Sequence, residues 1–341
     1  MLRSRLGHLR NHAPAIRFTT HVSSKRGLGT YSVPPYGIPP LRIAGPTLWC
    51  LAAAGTFYLA CAGWEVYQDV QEATRRRLIP TTASSPATYD QLQAAKASST
   101  SRLWSRQSEP TLDQISPDTW DRLLGADKVI AGAIGLNTAI FAVSRVLVGL
   151  QPQFAHVPAG PHNYTLLTSM FGHAGMLHLG ANMYGLYRFA PQVARSRTFE
   201  RSGSHLTAFY LSAGLFASLA QHLTSKWASP RALRPGFFIP GLGASGAIFA
   251  LLGSWAMLNP NAQIGLIFLP GSLPADQALA GIAAFETYGL LVGFKSLNFG
   301  HAAHLAGLAI GSAYVHFDGK RRVWQPARRF MFNQMKLVGV I

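Results

Sequence analysis

Hydrophobic positions in this chain gather into long uninterrupted runs separated by short polar turns. The first run, 43–64, holds 22 uncharged residues between Arg42 and Glu65. At about 1.5 Å per residue a helix of that length crosses a hydrocarbon core of about 30 Å. From Val129 onward, apolar runs near 129–150, 174–190, 205–223, 243–258, 274–293 and 300–317 predict six more helices. The expected fold class is all-α: a polytopic membrane protein with a six-helix core (128–317) and one extra N-terminal transmembrane helix (43–67). Residues 68–127, rich in Ser, Thr, Gln and charge, read as a polar linker with some amphipathic helix.

The fourth core run differs from the others. Pro240-Gly241 precedes it and Asn259-Pro260 stops it. That leaves about 16 residues and about 24 Å of helix, short of the core thickness. One end must then lie below the membrane surface, with loop 223–242 satisfying its backbone in protein or in a wet cavity. A tilted or locally thinned bilayer is the plainer reading.

Composition and charge sharpen this picture. Only 13% of the 341 residues are charged, where soluble domains carry about 25%. Residues 1–42 (Arg3, Arg5, Arg10, Arg17, Lys25, Arg26, Arg42) are basic and acid-free, the composition of a mitochondrial presequence. A disordered basic tail would look similar, whereas a secretory signal fits poorly because no apolar run begins near the start. The cations sit at that end, at the edges of apolar runs and in the basic C-terminal tail (318–341), so nucleic acid is not an expected partner. Cys50 and Cys61 are about 16 Å apart on one helix and cannot pair.

Polar side chains inside apolar runs are costly, so each needs a reason. Three clusters stand out. Gly241-Leu242-Gly243-Ala244-Ser245-Gly246 opens the short helix. A serine there can simply bond back to its own helix, but between glycines its hydroxyl is unhindered and nearby N–H groups are unpaired. The esterase elbow G-x-S-x-G is rejected, since Ala247 replaces its last glycine. His301-Ala302-Ala303-His304 opens the last run, where Gly307 and Gly311 let two backbones approach closely. A packing helix is the plain alternative; a Ser245–His304 pair across two close helices is the sharper one. Asp276 and Glu286 are the candidate third carboxylates, and neither has a spacing that argues for it, so a dyad is the simpler expectation. The third cluster, His173 to Asn182, places His178 and Asn182 on one helix face as uncharged donors suited to an oxyanion. A metal site is disfavoured, because no core Cys or suitably spaced carboxylate joins these histidines, and no cofactor is expected.

In this order along six runs, the clusters resemble the rhomboid intramembrane serine proteases: H-x-x-x-N (His178, Asn182), G-x-S-G (Gly243 to Gly246) and A-H-x-x-G-x-x-x-G (Ala303 to Gly311). The resemblance implies that Ser245 is the nucleophile and His304 its base, with His178, Asn182 and the Ser245 N–H forming the oxyanion hole. It further implies that His173 braces the first loop and that Phe249 stacks on the catalytic imidazole. The extra span, the presequence and the string HAAHLAG resemble the mitochondrial, presenilin-associated type. That implies a multi-pass inner-membrane enzyme cleaving single-span membrane proteins, of the dynamin-like GTPase or cytochrome c peroxidase kind, near the bilayer edge. One departure stands out. Bacterial rhomboids carry Trp-Arg in the first loop, where this chain reads Asn163-Tyr164-Thr165.

Sidedness is contested within the sequence. Arg188, Arg195, Arg197, Arg201 and the tail outweigh Lys226, Arg231, Arg234 and Lys295, which places the tail in the matrix and the serine toward the intermembrane space. With seven spans the N-terminus would then also face the intermembrane space, although a presequence leads a chain into the matrix.

Overall fold

A computed structural model describes residues 40–79, 81–82, 85–104, 125–227, 236–265, 271–294 and 300–341. The expected presequence up to residue 39, linker residues 105–124, and Arg231, Arg234 and Lys295 lie outside the described residues.

Among the described residues nine helices exceed two turns: α1 (Ala44–Arg75), α2 (Tyr89–Trp104), α3 (Gly125–Val146), α4 (Met176–Ala194), α5 (Gly203–Thr224), α6 (Ser245–Leu258), α7 (Ala275–Leu291), α8 (His301–His316) and α9 (Gln325–Leu337). A two-residue hairpin pairs Gln263–Ile264 with Leu273–Pro274 between α6 and α7. The protein is thus mostly helical, with helices on all seven apolar runs. By length and composition, α1 and α3 suffice to cross a membrane, and α6 is apolar but shorter.

Helix α6 is buried on nearly every side, from Gly246 to Ala256, as expected of a helix that is apolar all round. Pro260 limits its C-terminal end, and Asn259 there donates from Nδ2 to the Trp255 carbonyl at 3.0 Å. Its 14 residues span about 21 Å. Helix α8 lies directly against it. A Cβ on Gly307 would sit 2.2 Å from the Gly246 carbonyl oxygen, and one on Gly311 1.9 Å from that of Ala250. Only glycine permits such backbone contact. Helices α4, α5 and α7 also pack against α6. Large apolar side chains stay exposed on α1 (Leu48, Leu51), α3 (Leu136, Val143, Val146) and α7 (Phe285, Tyr288, Leu291).

Two boundaries differ from the sequence expectations. Helix α1 runs past residue 67 to Arg75, because Val66, Val70 and Ala73 bury against Leu92 of α2 and Phe332 of α9. Helix α3 begins at Gly125, inside the expected linker, where buried Asp127 accepts from Arg195 Nη2 at 3.0 and 3.1 Å. Within the basic tail a π-helical turn (Lys320–Trp324) leads into α9, which packs on α1. Arg328 is buried there, bonding Asp69 through Nη2 and lying 3.6 Å from Glu65 through Nε. Lys96 of α2 closes the network on Glu65 and on Asp69, the latter at 2.9 Å. Both cysteines are free thiols.

Candidate active site

The serine-bearing turn is fixed by the segment between α3 and α4, called the first loop below. His156 and Gly241 exchange two backbone hydrogen bonds of 2.9 and 2.8 Å, and the Gly243 N–H donates to the Ser169 carbonyl at 2.9 Å. Gly243 holds φ +122°, a conformation that side chains strain to adopt. A Cβ there would also fall 2.8 Å from His178 Nε2. Glycine is therefore demanded twice, by backbone and by space.

Ser245 opens α6, and no side chain caps that helix at Ala244. The first ladder bond shown is Ile248 N–H to the Ala244 carbonyl, 3.0 Å. The N–H groups of the first turn, Ser245 and Gly246 among them, lie outside the helix's own ladder. They form a cluster of positive dipole ends beside a partly exposed hydroxyl.

The close α6–α8 packing brings Ser245 Oγ to 2.8 Å from His304 Nε2. Phe249, one turn along α6, stacks on the His304 ring at 4.1 Å and 10°, which fixes the imidazole plane. His304 Nδ1 faces Glu286 Oε1 of α7 at 2.9 Å. Glu286 Oε2 meets His301 Nδ1 at 2.6 Å. Sequence spacing gave Glu286 no role; the fold brings it to the histidine. The missed signal is a lone buried carboxylate in an apolar run, which calls for a partner by its desolvation cost alone. Asp276, the other candidate, sits in the first turn of α7 and bonds the Gln277 N–H.

His178 lies on the opposite side of the serine turn. The Ala174 N–H donates to its Nδ1 at 3.2 Å, so in the neutral ring the proton sits on Nε2. That nitrogen is the one aimed at Gly243. Asn182, a turn deeper and buried, donates Nδ2 to the His178 carbonyl at 2.8 Å, and among the described residues its Oδ1 accepts no hydrogen bond. It braces the helix carrying His178, and the structure gives it no contact with Ser245. His173 is buried edge-on against His178, ring centroids 5.2 Å apart. Its neighbour Gly172 touches the first loop so closely that a Cβ would sit 2.0 Å from the Phe154 carbonyl oxygen. Gly246 backs onto Ala217, where a Cβ would come within 2.6 Å.

An arginine from outside the first loop clasps it. Arg42, just before α1, donates to the Pro161 carbonyl at 2.9 Å, to Asn163 Oδ1 at 3.2 Å and to the Gly160 carbonyl. Its own carbonyl accepts from His222 Nε2 at 2.7 Å. His222 Nδ1 lies 2.9 Å from His156 Nε2, and His156 Nδ1 lies 2.8 Å from Thr165 Oγ1. This relay ties α1, α5 and the first loop together beside the serine. Sequence reasoning missed it, since its members are scattered from 42 to 222.

Comparison with known proteins agrees with this geometry. Residues 161–321 match the Rhomboid domain. The chain is 30% identical over 224 residues to the presenilin-associated rhomboid-like protein, mitochondrial, of Mus musculus, covering 64% of this chain and 56% of that one. The Homo sapiens protein of that name is 30% identical over 211 residues, 60% of this chain and 52% of that one. Rhomboid protein 1, mitochondrial, of Saccharomyces cerevisiae is 32% identical over 165 residues, 48% of this chain and 44% of that one. The chain thus spans about half the length of the curated relatives it matches. Over residues 161–321, then, the chain matches the Rhomboid domain, and as a whole it is similar to the mitochondrial presenilin-associated rhomboid-like proteins.

Proposed function

We propose that the protein is an intramembrane serine endopeptidase of the mitochondrial inner membrane, hydrolysing single-span membrane proteins near the bilayer edge. The observation that carries this reading is the 2.8 Å contact between Ser245 Oγ and His304 Nε2. The exposed apolar side chains of α1, α3 and α7 favour a lipid setting, and the relatives' names favour mitochondria. In this reading α1 is the extra span and α3 to α8 are the six core spans. The charge bias places the tail in the matrix.

In the reaction, Ser245 donates its proton to His304 Nε2 as Oγ attacks the scissile carbonyl carbon. The oxyanion forms beside the Ser245 N–H and His178 Nε2–H, with Asn182 supporting His178 from one turn deeper. These preset donors work best where water is scarce. His304 then passes the proton to the leaving amine. Water, deprotonated by the same imidazole, releases the acyl group from Ser245. Because the N-terminus of the short α6 sits within the fold, the substrate helix must unwind to reach it. Small, helix-poor residues near the cut lower that cost.

Ser245→Ala tests the reading. With purified protein in detergent and a single-span reporter, cleavage should fall to background, at least about 10³-fold, while the melting temperature is kept. A variant cleaving at the wild-type rate would overturn the mechanism.

A further inference from the structure

We infer that Glu286 is a positioning residue for His304, with His301 as its clamp; this rests on the serine-protease reading above. The carboxylate is the midpoint of a four-residue constellation on two helix faces. Glu286 and Gly289 lie three apart on α7, and His301 and His304 lie three apart on α8, so each pair shares a face. Both carboxylate oxygens are engaged, Oε1 with His304 Nδ1 at 2.9 Å and Oε2 with His301 Nδ1 at 2.6 Å. Gly289 makes the room: a Cβ there would lie 2.3 Å from His301 Cε1 and 2.5 Å from its Nδ1. Any larger residue would push the His301 ring off the carboxylate.

The chemistry follows from which groups can donate. An ionised carboxylate only accepts, so the His304 proton resides on Nδ1. Its Nε2 is then a lone pair facing the serine hydroxyl, the tautomer a general base requires. When Ser245 gives up its proton, His304 becomes a cation with N–H groups on both sides. The Glu286 charge stabilises that cation and remains ionised throughout; no proton passes to the carboxylate. His301 holds the second oxygen, so the carboxylate cannot rotate away from His304. A purely structural tie between α7 and α8 could be made by a neutral hydrogen bond. Here a charge is buried at 3% exposure with the catalytic imidazole as one of its two donors.

The test uses the full chain in detergent with a single-span reporter and three variants. Ser245→Ala sets the background and tests the protease reading separately. Glu286→Gln keeps the shape and removes the charge. Its kcat should fall about 10²- to 10⁴-fold with KM within about twofold, and Glu286→Asp should recover part of the loss. A Glu286→Gln kcat within threefold of wild type, or a change in KM alone, would overturn the inference while leaving the Ser245 reading intact. Should Glu286→Gln not fold, ¹⁵N-histidine spectra of the wild-type enzyme at neutral pH decide the matter. The inference requires His304 to carry its proton on Nδ1, and a proton on Nε2 refutes it.

Discussion

The two ends of the helix bundle bury carboxylates in opposite ways. At one end Glu286 is met by two imidazoles, His301 and His304. At the other, Glu65 and Asp69 are met by the ammonium of Lys96 and the guanidinium of Arg328. Both arrangements satisfy the rule that a buried charge must be paired. They differ in what the partner can do next. The Glu65–Asp69–Lys96–Arg328 network ties α1, α2 and α9 together. An imidazole can both give and take a proton, so under the proposed function the Glu286 end would hold and also react. On that reading the comparison separates a fastening from a working part, although each is built from buried acid and base.

The largest expected effect falls on the reactive end. His304→Ala should lower the kcat of the folded fraction at least about 10³-fold, about 4 kcal/mol of barrier; single-turnover cleavage normalised to folded protein checks it. The fastening end should respond in reverse. Arg328→Met leaves Glu65 and Asp69 underpaired, which costs about 3–5 kcal/mol of stability, read as a lower melting temperature with the kcat of the folded fraction unchanged. A smaller effect is expected at the loop clamp. Arg42→Ala removes the guanidinium bonds to Pro161, Asn163 and Gly160, at about 1–2 kcal/mol locally, and should speed protease nicking of the first loop. The smallest effect is acid sensitivity. Burial pushes His156 down to about 3 from the ordinary 6.5, with nearby His222 and Arg42 adding to the shift. An unfolded loop takes up a proton below that ordinary value and the folded one does not, so the tie is whole above pH 6.5 and weakens as pH falls toward 3. At pH 6 the loss is about 0.8 kcal/mol, visible as faster first-loop nicking whose pH dependence His156→Gln should reduce.

The helices were readable because each apolar run had to bury or face lipid along its length, and Pro240, Pro260 and the glycines of α8 marked where. Ser245, His304 and His178 were readable because polar groups in such runs are few. Glu286 was equally rare, yet its partners depend on how α7 sits against α8, which no spacing along one helix reports. The packing of the tail was not legible for a related reason. Lys320, Arg321, Arg322, Arg328 and Arg329 look alike as a basic string, but Arg328 and Phe332 fall on one face of α9 and are buried, whereas Arg329 stays exposed and reaches Asp90. Charge counts do not distinguish a solvated cation from one enclosed between helices.

Arg42 gives both its guanidinium and its carbonyl to the fold, although it is the last residue of the stretch expected to be a presequence. Any maturation enzyme that severs the chain ahead of this residue leaves the loop beside the serine clasped. One that severs it a single peptide bond later discards the clasp, so the choice of scissile bond would set whether that loop stays tied to α1.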